Sequence, residues 1–151
     1  MAEIGFYHCT RQPAIEVAVR LADKALAAGK RVLMVADPDT IDGLDRRLWT
    51  DLPETFLAHG RAGAPDAALQ PILLAGPDAA GSAPANGAAF LMLVGVPLSD
   101  AVTGFERLFL LFEEGSPAQD EARKAWKALA ARDDMRRSYW QQRGTSWEKA
   151  G

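Results

Sequence analysis

The sequence predicts a single α/β domain with a mostly parallel sheet and helices on both faces. Short β-prone segments alternate with helical periods through the first half of the chain, the pattern that joins parallel strands by crossover helices. Several apolar segments are continuous, as in strands covered on both faces. The length of 151 residues suits one domain and buries enough apolar surface to fold without a disulfide or a metal.

Ile4-Gly-Phe-Tyr-His-Cys9 is short and β-prone and reads as the first strand. Pro13 stands where a helix starts, because a first-turn residue needs no N–H donor. Over residues 14–28, Ile15, Val19, Ala22 and Leu26 share a face, Glu16 pairs favourably with Arg20, and Gly29 is the stop. Arg31-Val-Leu-Met-Val-Ala36 is the second strand. Asp37-Pro-Asp-Thr40 turns the chain and offers N-caps to a second short helix with Ile41, Leu44 and Leu48 on one face. Trp49 to Pro53 ends it.

Thr55-Phe-Leu-Ala-His59 is the expected third strand, Gly60-Arg-Ala-Gly63 a loop, and Ile72-Leu-Leu-Ala75 another strand. Residues 76–88 are small, turn-rich and nearly uncharged, a flexible surface loop within the one domain. Ala89-Phe-Leu-Met-Leu-Val-Gly95 and Leu108-Phe-Leu-Leu-Phe112 are the later strands, with a short helix expected from Ser99 to about Glu106. Pro117 opens the last helix, expected to reach Ala131 or Met135. A polar tail from Arg136 to Gly151 holds Tyr139, Trp140 and Trp147. Five or six strands are expected in all.

One cysteine, Cys9, precludes an internal disulfide and fits a reducing cytoplasm. Ala2 and Glu3 follow Met1 where a secretory signal needs basic residues, and no apolar run approaches membrane-span length. The net charge of −3 is unevenly spread. Between Arg123 and Lys149 eight cations face three acids, whereas the rest carries nine cations and 17 acids. A basic end on an acidic body favours contact with something anionic.

Common catalytic and nucleotide motifs are missing. The turn after the first strand, Cys9-Thr-Arg-Gln-Pro13, has no glycine, and neither GxGxxG nor GxxxxGK[ST] occurs. Gly60-Arg-Ala-Gly63 is only a GxxG turn. His8, Cys9 and His59 do not form a metal set, because neighbouring strand residues point to opposite faces. No cofactor is expected. The alternative is a small nucleotide-binding α/β protein or enzyme with a site near His8, Cys9 and Gly60.

In the last helix Arg123, Trp126, Lys127 and Ala130 form one stripe, with an indole between a guanidinium and an ammonium. By spacing alone this fits either a core-facing Trp126 with solvated cations or a site for an anionic ligand with an apolar part. Aromatics beside cations in the tail also suit direct contact with single-stranded DNA.

Several segments, in order along nearly the whole chain, resemble the chi subunit of bacterial DNA polymerase III holoenzyme, the HolC family. They are Phe6-Tyr7-His8, Gly29-Lys-Arg-Val-Leu33, Leu44-Asp-Arg-Arg-Leu-Trp49, Pro53-Glu-Thr-Phe-Leu-Ala-His59 and Ala122-Arg-Lys-Ala-Trp-Lys127. The stretch from Leu44 to His59 is the most specific. The resemblance implies a Rossmann-like fold without catalysis, in a cytoplasmic accessory subunit. It implies binding of the acidic C-terminal tail of single-stranded DNA-binding protein (SSB) and attachment to the clamp loader, through a psi subunit or otherwise, with DNA contact mainly indirect. For the SSB tail it implies Trp126, Lys127 and Arg123, with Phe56 and Phe112 as apolar pocket walls. Gln119 departs from the family pattern, which has a tail-contacting lysine there.

Overall fold

The computed structural model describes residues 2–52, 54–81, 83–100, 102–144 and 146–151. In chain order the elements are β1 (Ala2–Cys9), α1 (Ala14–Ala27), β2 (Val32–Val35), α2 (Pro38–Thr50), β3 (His59–Arg61) and β4 (Ile72–Ala75). They continue with β5 (Phe90–Val94), β6 (Arg107–Glu113), α3 (Pro117–Leu129), β7 (Met135–Arg143) and β8 (Ser146–Lys149).

The strands form one sheet in the order β3-β4-β2-β5-β6-β1-β7-β8. Every neighbouring pair from β3 to β7 is parallel, and β8 closes the far edge antiparallel to β7. Helices pack on both faces, which makes this a Rossmann-like α/β fold. On one face α1 and α2 bury Val17, Ala18, Ala22, Leu44 and Leu48 against Met34, Met92 and Leu111. On the other, α3 places Ala122 and Leu129 against Ile4, Phe6, Leu108 and Leu110. The period-2 alternation of β1 thus sends Ile4 and Phe6 toward α3, and Tyr7 and Cys9 toward α1.

Local chemistry accounts for the helix starts. Pro13 precedes α1, and the Asp37 carboxylate caps α2 by accepting from the Thr40 N–H at 2.9 Å. Pro117 occupies the first turn of α3.

Four expectations are corrected. There are eight strands among the described residues, because the supposed tail is the β7–β8 hairpin. Residues 99–106 form no helix where described: Gly104 has φ +89°, and Val102 and Phe105 anchor the chain as an irregular cover over the α3-side core. The third strand spans only His59–Arg61, since pairing with β4 begins at His59. Within the loop expected at 76–88, Pro77–Gly81 is a 3-10 helix. Its far end is pinned by buried Asn86, which donates to the Val32 and Gln70 carbonyls at 3.2 and 3.0 Å.

Candidate functional site

In a parallel sheet the turn after the first strand is where a phosphate would sit on free backbone donors. Here those donors are taken. The backbone N–H groups of Thr10, Arg11 and Gln12 converge on Oε1 of Gln142 at 3.1, 3.0 and 3.2 Å. The Gln142 Nε2 group donates to Gln12 Oε1 at 2.8 Å, which fixes the amide orientation. The Ala14 N–H, in the first turn of α1, donates to the Glu113 carboxylate at 2.8 Å. Protein oxygens fill the concavity a phosphate would need, and Glu113 adds a charge that repels one.

The alternative site near His8, Cys9 and Gly60 does not assemble. Gly60 is on edge strand β3, five strand intervals from β1, roughly 24 Å at the usual spacing. Burial and the nearby Glu113 carboxylate push the Cys9 thiol up to about 12, so it stays protonated and is a poor nucleophile. His59 is held by Asp45 at 2.7 Å and the Leu57 carbonyl at 2.8 Å. Burial alone would raise the Asp45 pKa, but hydrogen bonds from Arg61 and His59 hold it below the usual carboxylate value. This cluster ties α2 to β3. Among the described residues no group of three or more His, Cys, Asp or Glu is placed to hold a metal.

The surface of α3 facing β7 is different. Trp126 is half-buried. Its ring stands edge-to-face on Phe6 at 5.2 Å and on Tyr139 at 5.6 Å. The Arg137 guanidinium lies 4.1 Å from the indole centroid and also donates to the Trp126 carbonyl. Arg123 and Lys127 flank the indole, both exposed. Arg123 has a 3.5 Å pairing with Asp120, and Lys127 makes no ion pair among the described residues. The floor continues through Tyr139 to His8, whose ring stacks on Phe112 at 5.1 Å.

One polar chain organises this floor. Gln119 Oε1 accepts from the Gly115 N–H at 2.8 Å, so its amide nitrogen faces His8 Nε2 at 3.4 Å as donor. His8 Nε2 must then accept, leaving its Nδ1–H to donate to the Tyr139 hydroxyl at 3.2 Å. Gln119, which departs from the family's lysine, is thereby a positioning residue for the neutral imidazole.

Of the five residues expected at the site, the structure brings Arg123, Trp126 and Lys127 together. Phe112 lies beneath them, 1% exposed, as support under His8 rather than as an open wall. Phe56 is corrected: it sits before β3 beside α2, on the opposite face and at the far edge of the sheet, with its ring 5.6 Å from Trp49. There Trp49 and Phe56 are 56% and 74% exposed, a separate apolar patch. Phe6, His8, Arg137 and Tyr139 complete the α3 surface and were not anticipated there. The alternation of Met135, Arg137 and Tyr139 is the available signal, hidden because polar residues occupy most of β7.

The fold and this surface define a class: a Rossmann-like domain whose phosphate turn is filled and whose exposed aromatic-basic features lie on its helices and flanks. The family model described as DNA polymerase III chi subunit, HolC, matches residues 1–135. The chain belongs to that family, an accessory and non-catalytic component of the DNA polymerase III holoenzyme. Comparison with curated proteins finds no match. Among solved structures the chain is similar to the C-terminal part of the Fun30 ATPase domain, with TM-score 0.51 and 14% identity. That alignment covers 73% of this chain and 44% of the other, so the chain spans under half of that structure's length. At this identity the likeness shows the fold alone. Among the described residues no helix is long and apolar enough to cross a membrane.

Proposed function

We propose that this protein binds the acidic C-terminal tail of SSB on the α3–β7 surface and links SSB to the clamp loader of the polymerase holoenzyme in the cytoplasm. The observation that supports it best is the half-buried Trp126, held edge-on by Phe6 and Tyr139, covered by Arg137 and flanked by Arg123 and Lys127. An SSB tail ends in an apolar ring next to the chain's carboxylate, preceded by aspartates. The ring packs on the indole, and the cations take the terminal carboxylate and the acids before it. No bond is made or broken, and no cofactor is required.

The second contact of such a linker falls to the Trp49–Phe56 patch, which is exposed and lies toward the opposite edge of the sheet from Trp126. A psi subunit or the clamp loader itself is the partner proposed for it.

The test is titration of the protein into a labelled SSB C-terminal peptide, read by anisotropy. Affinity in the micromolar range, about −8 kcal/mol, is expected, weakening as salt is added. Trp126→Ala or Lys127→Ala is expected to weaken binding tenfold or more. Equal affinity for an unrelated acidic peptide would sink the reading.

A further inference from the structure

The opposite face of the sheet carries a second aromatic-basic feature. Between α1 and the β7–β8 hairpin runs a groove of about 980 Å³. Its floor and outer wall are rings: Tyr7, Phe90, Phe109, Trp140 and Trp147. Tyr7 stacks parallel to Trp140 at 6.4 Å, and Trp147 stands edge-on to Tyr7 at 5.4 Å. Gly5 makes room for this layer, because a Cβ there would lie 2.7 Å from the Tyr7 ring. Trp140, Trp147 and Phe90 are half-buried, so part of each residue remains accessible to a ligand.

Cations run the length of the groove. Arg11 is in the β1–α1 turn at the carboxyl end of the strands, Arg20 and Lys24 are one turn apart on α1, and Arg107 opens β6 at the amino end. None of the four makes an ion pair among the described residues; Glu16, expected to pair with Arg20, instead pairs with Arg47 at 3.0 Å. Arg107 instead lies over the Phe109 ring at 4.8 Å. Asp23 is the acid among the lining residues. The groove is therefore strongly positive on a chain whose net charge is −3.

We propose that this groove is a binding track for single-stranded DNA. Unpaired cations in file along a floor of part-open rings suit a ligand that is a linear polyanion bearing flat groups, with phosphates on the cations and bases on the rings. A duplex offers the same phosphates but keeps its bases stacked on each other, away from the floor. An acidic amphipathic helix of another protein would use the cations, but gains less from rings than from aliphatic ridges. Trp140 and Trp147 lie beyond the residues 1–135 matched by the family model.

The experiment uses the whole chain with a labelled oligothymidine of about 16 nucleotides at low salt, read by anisotropy. Binding is expected, with strong salt dependence and clear preference over a duplex of equal length. Arg20→Gln with Lys24→Gln, at exposed helix positions that keep the fold, is expected to weaken it tenfold or more. The same pair is expected to make log affinity against log salt shallower by about 0.7 per cation removed. Trp147→Leu keeps apolar cover, removes the stacking face, and is expected to cost about tenfold. Both variants keep wild-type affinity for the SSB peptide, whereas Lys127→Ala keeps DNA binding and loses the peptide, so the two sites are read separately. No binding at low salt, equal binding of duplex, or wild-type affinity in the Arg20/Lys24 variant overturns the proposal. So does a dimer in sedimentation that those substitutions abolish while DNA is not bound, which would assign the groove to a second copy.

Discussion

His8 lies directly under the proposed SSB-tail site, and its charge state is set by its neighbours. Burial lowers its pKa most; the Glu114 carboxylate pulls it upward, and Arg123 lowers it further. The Gln119 amide donates to Nε2, which a protonated ring could not accept. The folded protein therefore holds fewer protons at His8 than the unfolded chain, whose histidine titrates near roughly pH 6.5. A histidine with a lowered folded pKa contributes stability that is full above the unfolded value and is lost as pH falls below it. The expected outcome is a lower urea midpoint at about pH 5.5 than at about pH 7.5, with His8→Asn flattening that segment of the profile. An unchanged slope in the variant would show that His8 is not held neutral.

At the scale of elements, β7 carries the most. Its Gln142 side chain, 6% exposed, gathers three successive backbone donors of the β1–α1 turn. Gln142→Ala strands those donors and is expected to destabilise by about 2 kcal/mol, a fall of about 4–8 °C in Tm by calorimetry. Gln142→Glu, which keeps an acceptor, is expected to recover part of that loss. A silent Gln142→Ala would mean that water serves the turn equally well. The same strand shows what was legible in the sequence and what was not. The strands β1, β2, β5 and β6 and the helices α1, α2 and α3 announce themselves through continuous apolar runs, helical periods, Pro13, Asp37 and Pro117, all local signals. By contrast, β7 pairs with β1, more than 130 residues away, and is polar at most positions, so its strand character comes from tertiary pairing. The site divided likewise. Arg123, Trp126 and Lys127 share one helical turn and are readable from spacing, whereas Arg137, Tyr139 and His8 reach Trp126 or its floor only across the sheet. Phe56 was misplaced because sequence resemblance assigns a residue a role without saying which edge of the sheet it occupies.

Across the whole molecule, sheet order separates three exposed features that the sequence runs together. The Trp126 surface is on the α3 face, the ring-lined groove is on the α1 face beyond that helix, and the Trp49–Phe56 patch is beside α2 near the opposite edge. A domain built this way can hold separate ligands at once without their competing for space. Because the Trp126 and Phe56 sites lie on opposite faces and toward opposite edges of the sheet, substitutions at one should act independently of the other. Phe56 is the decisive position, since it is 74% exposed and its aromatic neighbour is Trp49. Phe56→Ala is expected to change stability by no more than about 0.5 kcal/mol and to leave SSB-peptide affinity within about twofold of wild type. Recovery of the protein with the reconstituted clamp loader, with and without psi, should fall sharply in the same variant, because an exposed ring of this size is the kind of anchor that dominates an interface. Loss of peptide binding in Phe56→Ala comparable to that in Trp126→Ala would mean that one continuous site spans the two edges, which the strand order β3-β4-β2-β5-β6-β1-β7-β8 does not allow.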